Sequence, residues 1–591
     1  MTYQAPVDDI MLALEAAADL DQMSARGVLD GLDTDTIRAV IEEAGKFGSG
    51  VLDPLNSPGD KTGSKLTDGH VTTPPGWKDA YKQFAAAGWT ALPCPVEYGG
   101  QGLPNIIAMA ACETWSSANL AFELCPMLSQ GAIDAIEAHG TDALKSTYIP
   151  KLVSGEWTGT MNLTEPHCGT DLGALKTRAA RQPDGAYRLV GTKIFITYGE
   201  HDLADTLIHM VLARLPDAPA GTRGISLFLV PKVMVEADGS LGRRNDVVCA
   251  GLEHKLGIHA SPTCVMKFGE KDGAIGYLVG EENRGLNVMF IMMNAARLGV
   301  GVQGVALAER ATQRALAYAK ERRQGRTATT RGADMAPIIE HADIRRSLMT
   351  MKAMTQAARM ICLATAAAID TAHRASSPAD RATAGARAAL LTPIAKAFST
   401  DIGVEVASMG LQIHGGMGFI EETGAAQYFR DARILPIYEG TNGVQAIDLV
   451  TRKLPLDGGK VVAAYIAELE RTAAEVKASN QPAFGRTAER LAEAIAALKE
   501  ASIWLGGALQ SNPEAALAGA TPYLRLFGLA SGGAYLARGG LAAARDGDAS
   551  NPIALARFFA ENLAIAASGL ASSITTGADS VLAATPERLS A

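Results

Sequence analysis

Apolar positions recur at helical spacing through the first part of the chain. Segments such as DIMLALEAAADL (9–20) and NIIAMAACETWSSANLAFELC (105–125) repeat hydrophobic residues every three to four positions. The Gly/Pro-rich stretch PVEYGGQGLP (95–104) interrupts this pattern, as a loop between helices does. We therefore predict an N-terminal helical domain over residues 1–160.

The period changes over residues 161–280. YRLVGTKIFIT (187–197), TLIHMVLARL (206–215) and CVMKFGE (264–270) are short, rich in β-branched residues and separated by turn residues. This pattern predicts a compact β domain in the middle of the chain.

Helical spacing returns at residue 281 and continues to 455. The Pro/Gly-punctuated stretch KLPLDGGK (453–460) marks the end of this region, and Ala-rich amphipathic segments follow it. We predict a second helical domain over 281–455, followed by a helical extension over 456–591. The extension contains no motif to which chemistry can be assigned.

Composition narrows the class of protein. A chain of 591 residues is too long for one hydrophobic core, and 48% hydrophobic with 20% charged residues is ordinary globular composition. The net charge of -9 and the pI of about 5.7 argue against a nucleic-acid partner. The seven cysteines show no metal-ligand spacing, which predicts reduced thiols and no metal site. The acidic N-terminus lacks a signal-peptide pattern, and the uncharged runs are too short for a membrane span. We expect a cytoplasmic protein.

Two stretches of the β domain offer groups for a flat, polar ligand. MNLTEPHCGTDLGALKTRA (161–179) is rich in hydrogen-bond donors, although a polar loop between strands has the same composition. In KIFIT (193–197), alternation puts Phe195 and Thr197 on one face of a strand and Ile196 on the other. An ordinary half-buried strand explains that pattern equally well.

Two stretches of the second helical domain offer further groups. YAKERRQGR (318–326) ends a long helix with Arg322, Arg323 and Arg326, which either bind phosphate or form a solvated helix end. LQIHGGMGFIEETGAAQYFRDARILPIYEGTNG (411–443) combines a glycine cluster with His414, which fits a structural histidine better than a catalytic one.

Glu439 lies alone in the otherwise uncharged run ILPIYEGTNGVQAI (434–447). The last preceding basic residue is Arg433, and the next acid is Asp448. Burying a carboxylate without a cation is unfavourable and raises its pKa. Such a group requires an explanation.

TEPHCGTD, KIFIT, ERRQGR, QIHGGMGF and RDARILPIYEGTNG together resemble the acyl-CoA dehydrogenase family in order and spacing over residues 75–455. The long C-terminal extension resembles the long subgroup of that family. The resemblance implies a mostly α fold with a central β-barrel domain, arranged α, β, α, plus the helical extension. It also implies FAD as cofactor, an acyl-CoA substrate, electron-transferring flavoprotein as electron acceptor, and a homo-oligomer, at least a homodimer.

The resemblance also assigns roles to individual residues. Glu439 corresponds to the base that abstracts the α-proton, while flavin N5 accepts the β-hydride. Thr164 would hydrogen-bond near N5, Phe195 replaces a common Trp over the flavin, and Thr170 stands where Ser is usual. The residues that correspond to FAD contacts are Met161, Leu163, Thr164, Gly169, Thr170, Phe195, Thr197, Arg322, Gln324, Gln412, Gly415, Gly416, Thr441 and Gly443, of which Arg322, Gln324, Gln412 and Gly416 would act from a neighbouring subunit.

The substrate side is assigned in the same way. Thr170, Asn294, Arg297, Tyr438 and Gly440 correspond to residues around the CoA and thioester groups, although Asn294 departs from a common Asp. Gly443 also departs from a frequent Gln. Within the long subgroup the expected reaction converts 3-(methylthio)propionyl-CoA to 3-(methylthio)acryloyl-CoA, in dimethylsulfoniopropionate demethylation. A straight-chain acyl-CoA dehydrogenase, an acyl-CoA oxidase, and a non-catalytic or nucleic-acid-binding relative remain alternatives.

Overall fold

The computed structural model of the chain describes residues 2–327, 335–546 and 550–590. Proximity of Cα atoms divides the chain into two compact units. The first unit contains Met1–Lys46, Pro104–Ser117 and Arg297–Ala591, and the second contains Phe47–Leu103 and Ala118–Ala296.

All strands of the described residues lie in the second unit. They are β1 Lys65–Thr67, β2 His70–Thr72, β3 Trp157–Asn162, β4 Arg178–Arg181, β5 Tyr187–Thr197, β6 Thr206–Arg214, β7 Ile225–Pro231, β8 Val233–Val235, β9 Leu241–Arg244, β10 Val247–Leu252, β11 Thr263–Phe268 and β12 Ala274–Val279.

The helices are distributed over both units. They are α1 Val7–Ala13, α2 Leu20–Ala25, α3 Thr34–Phe47, α4 Asp53–Thr62, α5 Trp77–Ala86, α6 Asn105–His139, α7 Asp142–Val153, α8 Gly285–Glu321, α9 Ala342–Arg374, α10 Pro378–His414, α11 Ala425–Ala432, α12 Asn442–Asp448, α13 Lys460–Ala478, α14 Thr487–Ser511, α15 Pro513–Ala518, α16 Ala520–Asp546, α17 Ser550–Asn562, α18 Ala567–Thr576, α19 Ala578–Leu582 and α20 Pro586–Ser590.

The central sheet closes on itself. Its strands follow the order β10-β11-β5-β12-β7-β6-β3, and β4 pairs with both β5 and β6. The strands β5-β12-β7-β6-β4 therefore form a closed barrel. The parallel pair of Arg178 in β4 with Arg214 in β6 closes it. The hairpin of β1 and β2 lies outside the barrel and within the region that the apolar spacing predicts to be helical.

Strands β6 and β7 are buried on both faces, which explains their nearly continuous apolar sequences. Val211, Ala213 and Phe228 belong to a cluster formed by barrel strands. The alternate residues, among them Met210 and Leu227, pack in a second cluster with residues of α6 and α7. Helices therefore cover the outer face of the barrel wall.

In the first unit, α9 and α10 are long neighbouring helices, and α16 of the extension packs against both. Polar contacts reinforce this packing, because Arg387 of α10 and Arg538 of α16 both donate to the Glu468 carboxylate of α13. The predicted fold class, mostly α with a β-barrel domain and a helical extension, is confirmed.

Two stretches, Gly285–Glu321 and Ser550–Thr576, are long and apolar enough by length and composition to cross a membrane. Within the first, 72% of the most apolar window is buried inside the protein, as is usual for a core helix. Such stretches are weak evidence for a membrane span, so the expected absence of one stays a prediction.

Candidate active site

Glu439 lies in the turn that joins α11 to α12. Its backbone φ is +57°, and that of Gly440 is +85°, so two consecutive residues occupy the left-handed region. Glycine adopts this conformation freely, whereas for glutamate it is strained and needs support from surrounding contacts. Thr441 ends the turn, and its hydroxyl caps α12 by accepting a hydrogen bond from the Val444 N–H at 3.3 Å.

The Glu439 carboxylate has a strongly perturbed pKa. Burial raises the pKa of Glu439 to about 7, against the opposing influence of the positive charges of Arg297 and Lys396. Burial also lowers the pKa of Lys396 to about 7, although the charges of Glu439 and Asp401 raise it. The pKa of Arg297 is likewise lowered by burial. The acid that is isolated in the sequence therefore has two cations near it in the fold.

Hydrogen bonds hold the turn from several sides. Nζ of Lys396 donates to the Gly440 carbonyl at 2.8 Å and to Oδ1 of Asn442 at 2.9 Å. Nε2 of the buried Gln445 donates to the Glu439 carbonyl at 3.2 Å. A Cβ atom on Gly440 would lie 2.7 Å from that same Nε2, so glycine is required for space as well as for φ.

The backbone N–H of Glu439 donates to no acceptor within the residues that the structure describes. It is thus available to a ligand. The preceding residue, Tyr438, is fixed differently, since its hydroxyl donates to Oε1 of the buried Gln303 at 2.5 Å. Gly443 is exposed on the first turn of α12, where a Cβ atom would meet only Oγ1 of Thr441, at 3.9 Å.

A second group of predicted residues follows the end of α10. Gln412, Gly415 and Gly416 are exposed, and a Cβ atom on either glycine would meet nothing within 4 Å. Apolar side chains continue this surface, because Phe419 is 91% exposed and Met417 47%. The glycine cluster is therefore an open surface with apolar residues beside it.

His414 precedes this cluster and has a structural environment. Its ring stacks on Tyr318 with 4.5 Å between the centroids, and Nδ1 lies 2.7 Å from the Gly410 carbonyl oxygen. Burial lowers the pKa of His414. These contacts match the structural role that the sequence favours.

Arg322 and Gln324 lie just after α8, with exposed side chains. Their backbone is well anchored. The Arg322 carbonyl accepts from the Ile338 N–H at 2.8 Å, and the Gln324 carbonyl oxygen lies 2.7 Å from Nε2 of His341. The anchored backbone presents both side chains, together with that of Arg326, to the surroundings.

In the second unit, the loop after β3 carries another group of predicted residues. Lys193 donates from Nζ to the Leu163 carbonyl at 2.9 Å, and the Ile194 N–H donates to the Thr164 carbonyl at 2.9 Å. These bonds fix the loop against β5. Met161, Leu163 and Thr164 are half-buried, whereas Gly169 and Thr170 are exposed.

Phe195 lies on a β-bulge. Cys264 and Met266 of β11 pair with Ile196 and Lys193 of β5, so β5 has one extra residue between them. Phe195 has a φ of +59° and is 58% exposed, while Ile196 is buried and Thr197 half-buried. The bulge therefore holds an aromatic ring outward, next to a hydroxyl.

Glu165, His167 and Cys168 bring potential metal ligands within 4.8 Å of one another in the same loop. The Glu165 carboxylate is already occupied, because Lys193 Nζ donates to it at 2.9 Å and Thr177 Oγ1 at 2.5 Å. The buried ion pair of Glu165 and Lys193 thus ties this loop to β5.

Models of four domain families match consecutive segments of the chain. They are the acyl-CoA dehydrogenase N-terminal domain over 34–156, the middle domain over 160–270, the C-terminal domain over 283–454, and an acetyl-CoA dehydrogenase C-terminal-like domain over 465–585. The 3-methylmercaptopropionyl-CoA dehydrogenase of Ruegeria pomeroyi is 48% identical, over 99% of this chain and 100% of that protein. The chain belongs to the acyl-CoA dehydrogenase family. It is therefore an oxidoreductase of a family that acts through FAD on acyl-CoA thioesters.

Other relatives support this membership. A butyryl-CoA dehydrogenase of Syntrophomonas wolfei is 34% identical over 87% of this chain and 85% of that protein. A solved acyl-CoA dehydrogenase from Bacillus anthracis, complexed with FAD, has a TM-score of 0.74 at 21% identity. That likeness covers 94% of this chain and 91% of the other, and at this identity it shows the fold.

The residues present fit FAD. An outward aromatic ring at Phe195 suits a flat heterocycle, and the open glycine surface at Gly415 and Gly416 lets a ligand approach the backbone. The buried Oδ1 of Asn162, in β3, has no hydrogen-bond partner within the described chain. Each unit thus offers a surface that suits part of a polar, partly aromatic group.

The predicted residues thus form groups within each unit. Glu439, Tyr438, Gly440, Thr441 and Arg297 come together in the first unit, while Asn294 is exposed on the part of α8 that belongs to the second. Sequence reasoning did not single out Lys396, Asn442, Gln445 or Gln303. The signal for Lys396 is present, since it is the one charged residue between Arg387 and Asp401.

Proposed function

We propose that this chain is an FAD-dependent dehydrogenase that desaturates a short acyl-CoA between Cα and Cβ, with Glu439 as the base. The observation that carries the proposal is the Glu439 turn, in which a carboxylate with a pKa of about 7 adjoins an unused backbone N–H. A base works best when its pKa is near the working pH.

The ionised carboxylate of Glu439 takes the α-proton of the thioester. The negative charge that develops on the thioester oxygen needs a donor, and the Glu439 N–H is suited to that role. One such donor contributes about 3 kcal/mol to transition-state stabilisation. Tyr438 and Gly440 shape the slot for the thioester, and Arg297 supplies positive charge near the base. When bound, FAD supplies the two-electron acceptor for the hydrogen that leaves Cβ.

FAD binding is assigned to two sets of residues. Met161, Leu163, Thr164, Gly169, Thr170, Phe195 and Thr197 would bind the flavin and pyrophosphate from the β domain, and Thr441 and Gly443 would bind from the catalytic domain. Gly415 would also contact FAD. Arg322, Gln324, Gln412 and Gly416 would reach the FAD of a neighbouring subunit, which makes the active protein a homodimer or a larger homo-oligomer. The 91% exposure of Phe419, beside that glycine cluster, supports a covering partner.

For the substrate, we favour 3-(methylthio)propionyl-CoA, with 3-(methylthio)acryloyl-CoA as product. The support is the near full-length 48% identity to the Ruegeria pomeroyi dehydrogenase named for this thioether substrate. Thr170, Asn294 and Arg297 would contact the CoA side. Electron-transferring flavoprotein would be the electron acceptor, and the cytoplasm the site of action. A straight-chain substrate is the second candidate, because a butyryl-CoA dehydrogenase is 34% identical.

A matched substrate pair separates these candidates. Pentanoyl-CoA has a methylene group where 3-(methylthio)propionyl-CoA has sulfur. Anaerobic bleaching of the bound flavin should be faster with the thioether at equal, subsaturating concentrations, and turnover should need electron-transferring flavoprotein. Faster bleaching with pentanoyl-CoA would favour a straight-chain enzyme, peroxide formation without the flavoprotein would indicate an oxidase, and no bleaching with either would overturn the proposed activity.

A further inference from the structure

Lys396 lies within α10, and its side chain is fully buried, with 0% exposure. Lysine is rarely buried unless its charge has partners. The hydrogen bonds of Nζ go to the Gly440 carbonyl at 2.8 Å and to Oδ1 of Asn442 at 2.9 Å. Both acceptors belong to the turn that carries Glu439.

We propose that Lys396 is a positioning residue for the base. It fixes the strained Glu439 turn through the Gly440 carbonyl and Asn442, and in its ammonium form it adds a positive charge beside the carboxylate. This inference rests on the proposed function, because it concerns the same proton-transfer step.

Glu439 and Gly440 both have positive φ, and a left-handed glutamate persists only when its surroundings fix it. The carbonyl that Lys396 binds belongs to the residue directly after the base. Without that ammonium group, the Gly440 carbonyl would lose the partner that anchors it to α10.

Asn442 ties the same turn to α10. The two hydrogens of its Nδ2 atom are shared among three acceptors, the Ala397 carbonyl at 3.1 Å, Oγ1 of Thr400 at 2.9 Å and Oδ1 of Asp401 at 2.7 Å. Since its Oδ1 accepts from Lys396, both ends of the Asn442 amide are used. Lys396 and Asn442 therefore form one network that joins the turn to the helix.

Lys396 and Glu439 also interact electrostatically. The charged groups that act on Lys396 are Glu439 from the turn, Asp401 from α10 itself and Arg297 from α8. The two acids favour the ammonium form, and Arg297 opposes it. In return, the positive charge of Lys396 lowers the Glu439 pKa against the effect of burial. Removing the charge should therefore move the ionisation of Glu439 to higher pH.

Three substitutions separate position from charge. Lys396→Arg keeps charge and donors, Lys396→Gln keeps a donor without charge, and Lys396→Met keeps neither. The measurement is the anaerobic flavin-bleaching rate of each purified holoenzyme against pH, with 3-(methylthio)propionyl-CoA and butyryl-CoA as substrates. Flavin content and thermal midpoint are recorded for every variant. Arg387→Met is the control, because Arg387 is another cation of α10 that donates to Glu468 rather than to the Glu439 turn.

In Lys396→Gln and Lys396→Met, the acid limb of the bleaching rate plotted against pH should move to higher pH by roughly one unit. With Met, the plateau rate should also fall by roughly tenfold to a hundredfold, and Gln should recover part of that loss. The Lys396→Arg limb should stay at the wild-type position, and Arg387→Met should lower the thermal midpoint without moving the limb.

If Lys396→Gln and Lys396→Met both keep the wild-type acid limb and the wild-type bleaching rate, the inference is overturned. An acid limb that moves by the same amount in Arg387→Met would overturn it as well. If Lys396→Met does not fold, the comparison of Gln with Arg decides. These outcomes are distinct from failure of the proposed function, which would appear as wild-type holoenzyme that no acyl-CoA bleaches.

Discussion

Gly528 of α16 lies against Phe398 of α10 so closely that a Cβ atom on Gly528 would be 2.1 Å from Cδ2 of the ring. Phe398 is two residues from Lys396, which holds the Glu439 turn. On the same side, Arg525 of α16 forms an ion pair with Glu405 at 2.8 Å. The C-terminal extension thus packs directly on the helix that supports the candidate base.

Gly528→Ala should destabilise the protein. The added methyl group must displace the Phe398 ring or separate the two helices, and overpacking of this kind costs about 1–3 kcal/mol. The measurement is the midpoint of thermal unfolding. Gly506→Ala in α14 is the matched control, because its Cβ atom would meet nothing within 4 Å. The control should gain up to about 1 kcal/mol from the better helix former. An unchanged or higher midpoint for Gly528→Ala would contradict this packing.

The reductive rate should depend on pH through Glu439. The carboxylate accepts a proton only when it is ionised, and burial raises its pKa to about 7. Activity should therefore be low in acid and rise with pH, with its half-maximum near pH 7, when kcat/KM is measured over pH 5.5–9. Activity that is already at its plateau at pH 5.5 would show that the carboxylate keeps the ordinary pKa of glutamate, about 4.3.

Phe195→Gly should have opposite effects on stability and flavin binding. Glycine relieves the positive φ at the bulge, which for other residues costs about 1–2 kcal/mol, so the apoprotein should unfold at a higher temperature. FAD retention should fall, because the outward ring is lost. Phe195→Trp should keep FAD while retaining the strain. Unchanged flavin content in Phe195→Gly would remove Phe195 from the cofactor site.

Much of the fold follows from the sequence alone. The change of apolar period near residues 161 and 281 separates helical from β regions, because buried faces impose the period of their element. The hairpin Lys65–Thr72 could not be predicted in this way, because its strands of three residues each are too short to show a period. The bulge at Phe195 escapes it as well, because one extra residue in β5 is defined only by its pairing with β11.

The candidate site could be predicted only in part. Motifs with their own spacing, such as YEGT around Glu439, are visible in a single sequence. Lys396 is 43 residues away along the chain, and its connection to the turn exists only through hydrogen bonds in the fold. Glu439 and Lys396 share one sequence feature that could have identified both as site residues, because each is an isolated charge in an apolar run.

Phe419→Asp should prevent self-association. The 91% exposed ring, with Met417 and Ile420 nearby, forms an apolar surface that a partner subunit would bury. Sedimentation velocity should show a smaller species, and flavin content should fall, since in the proposed assembly a neighbouring subunit completes the FAD site. Leu589→Asp, at a 76% exposed position near the C-terminus, should change neither. A wild-type oligomer with Phe419→Asp would place the interface elsewhere.

Glu439→Gln tests the central claim most directly. The amide has nearly the shape of the carboxylate but cannot accept the α-proton, so the variant should purify with normal FAD content and still bind acyl-CoA. Its flavin should stay oxidised when 3-(methylthio)propionyl-CoA or butyryl-CoA is added without oxygen, whereas wild type and the exposed-site control Glu422→Gln should bleach. Bleaching of Glu439→Gln at the wild-type rate would contradict the assignment of Glu439 as the base.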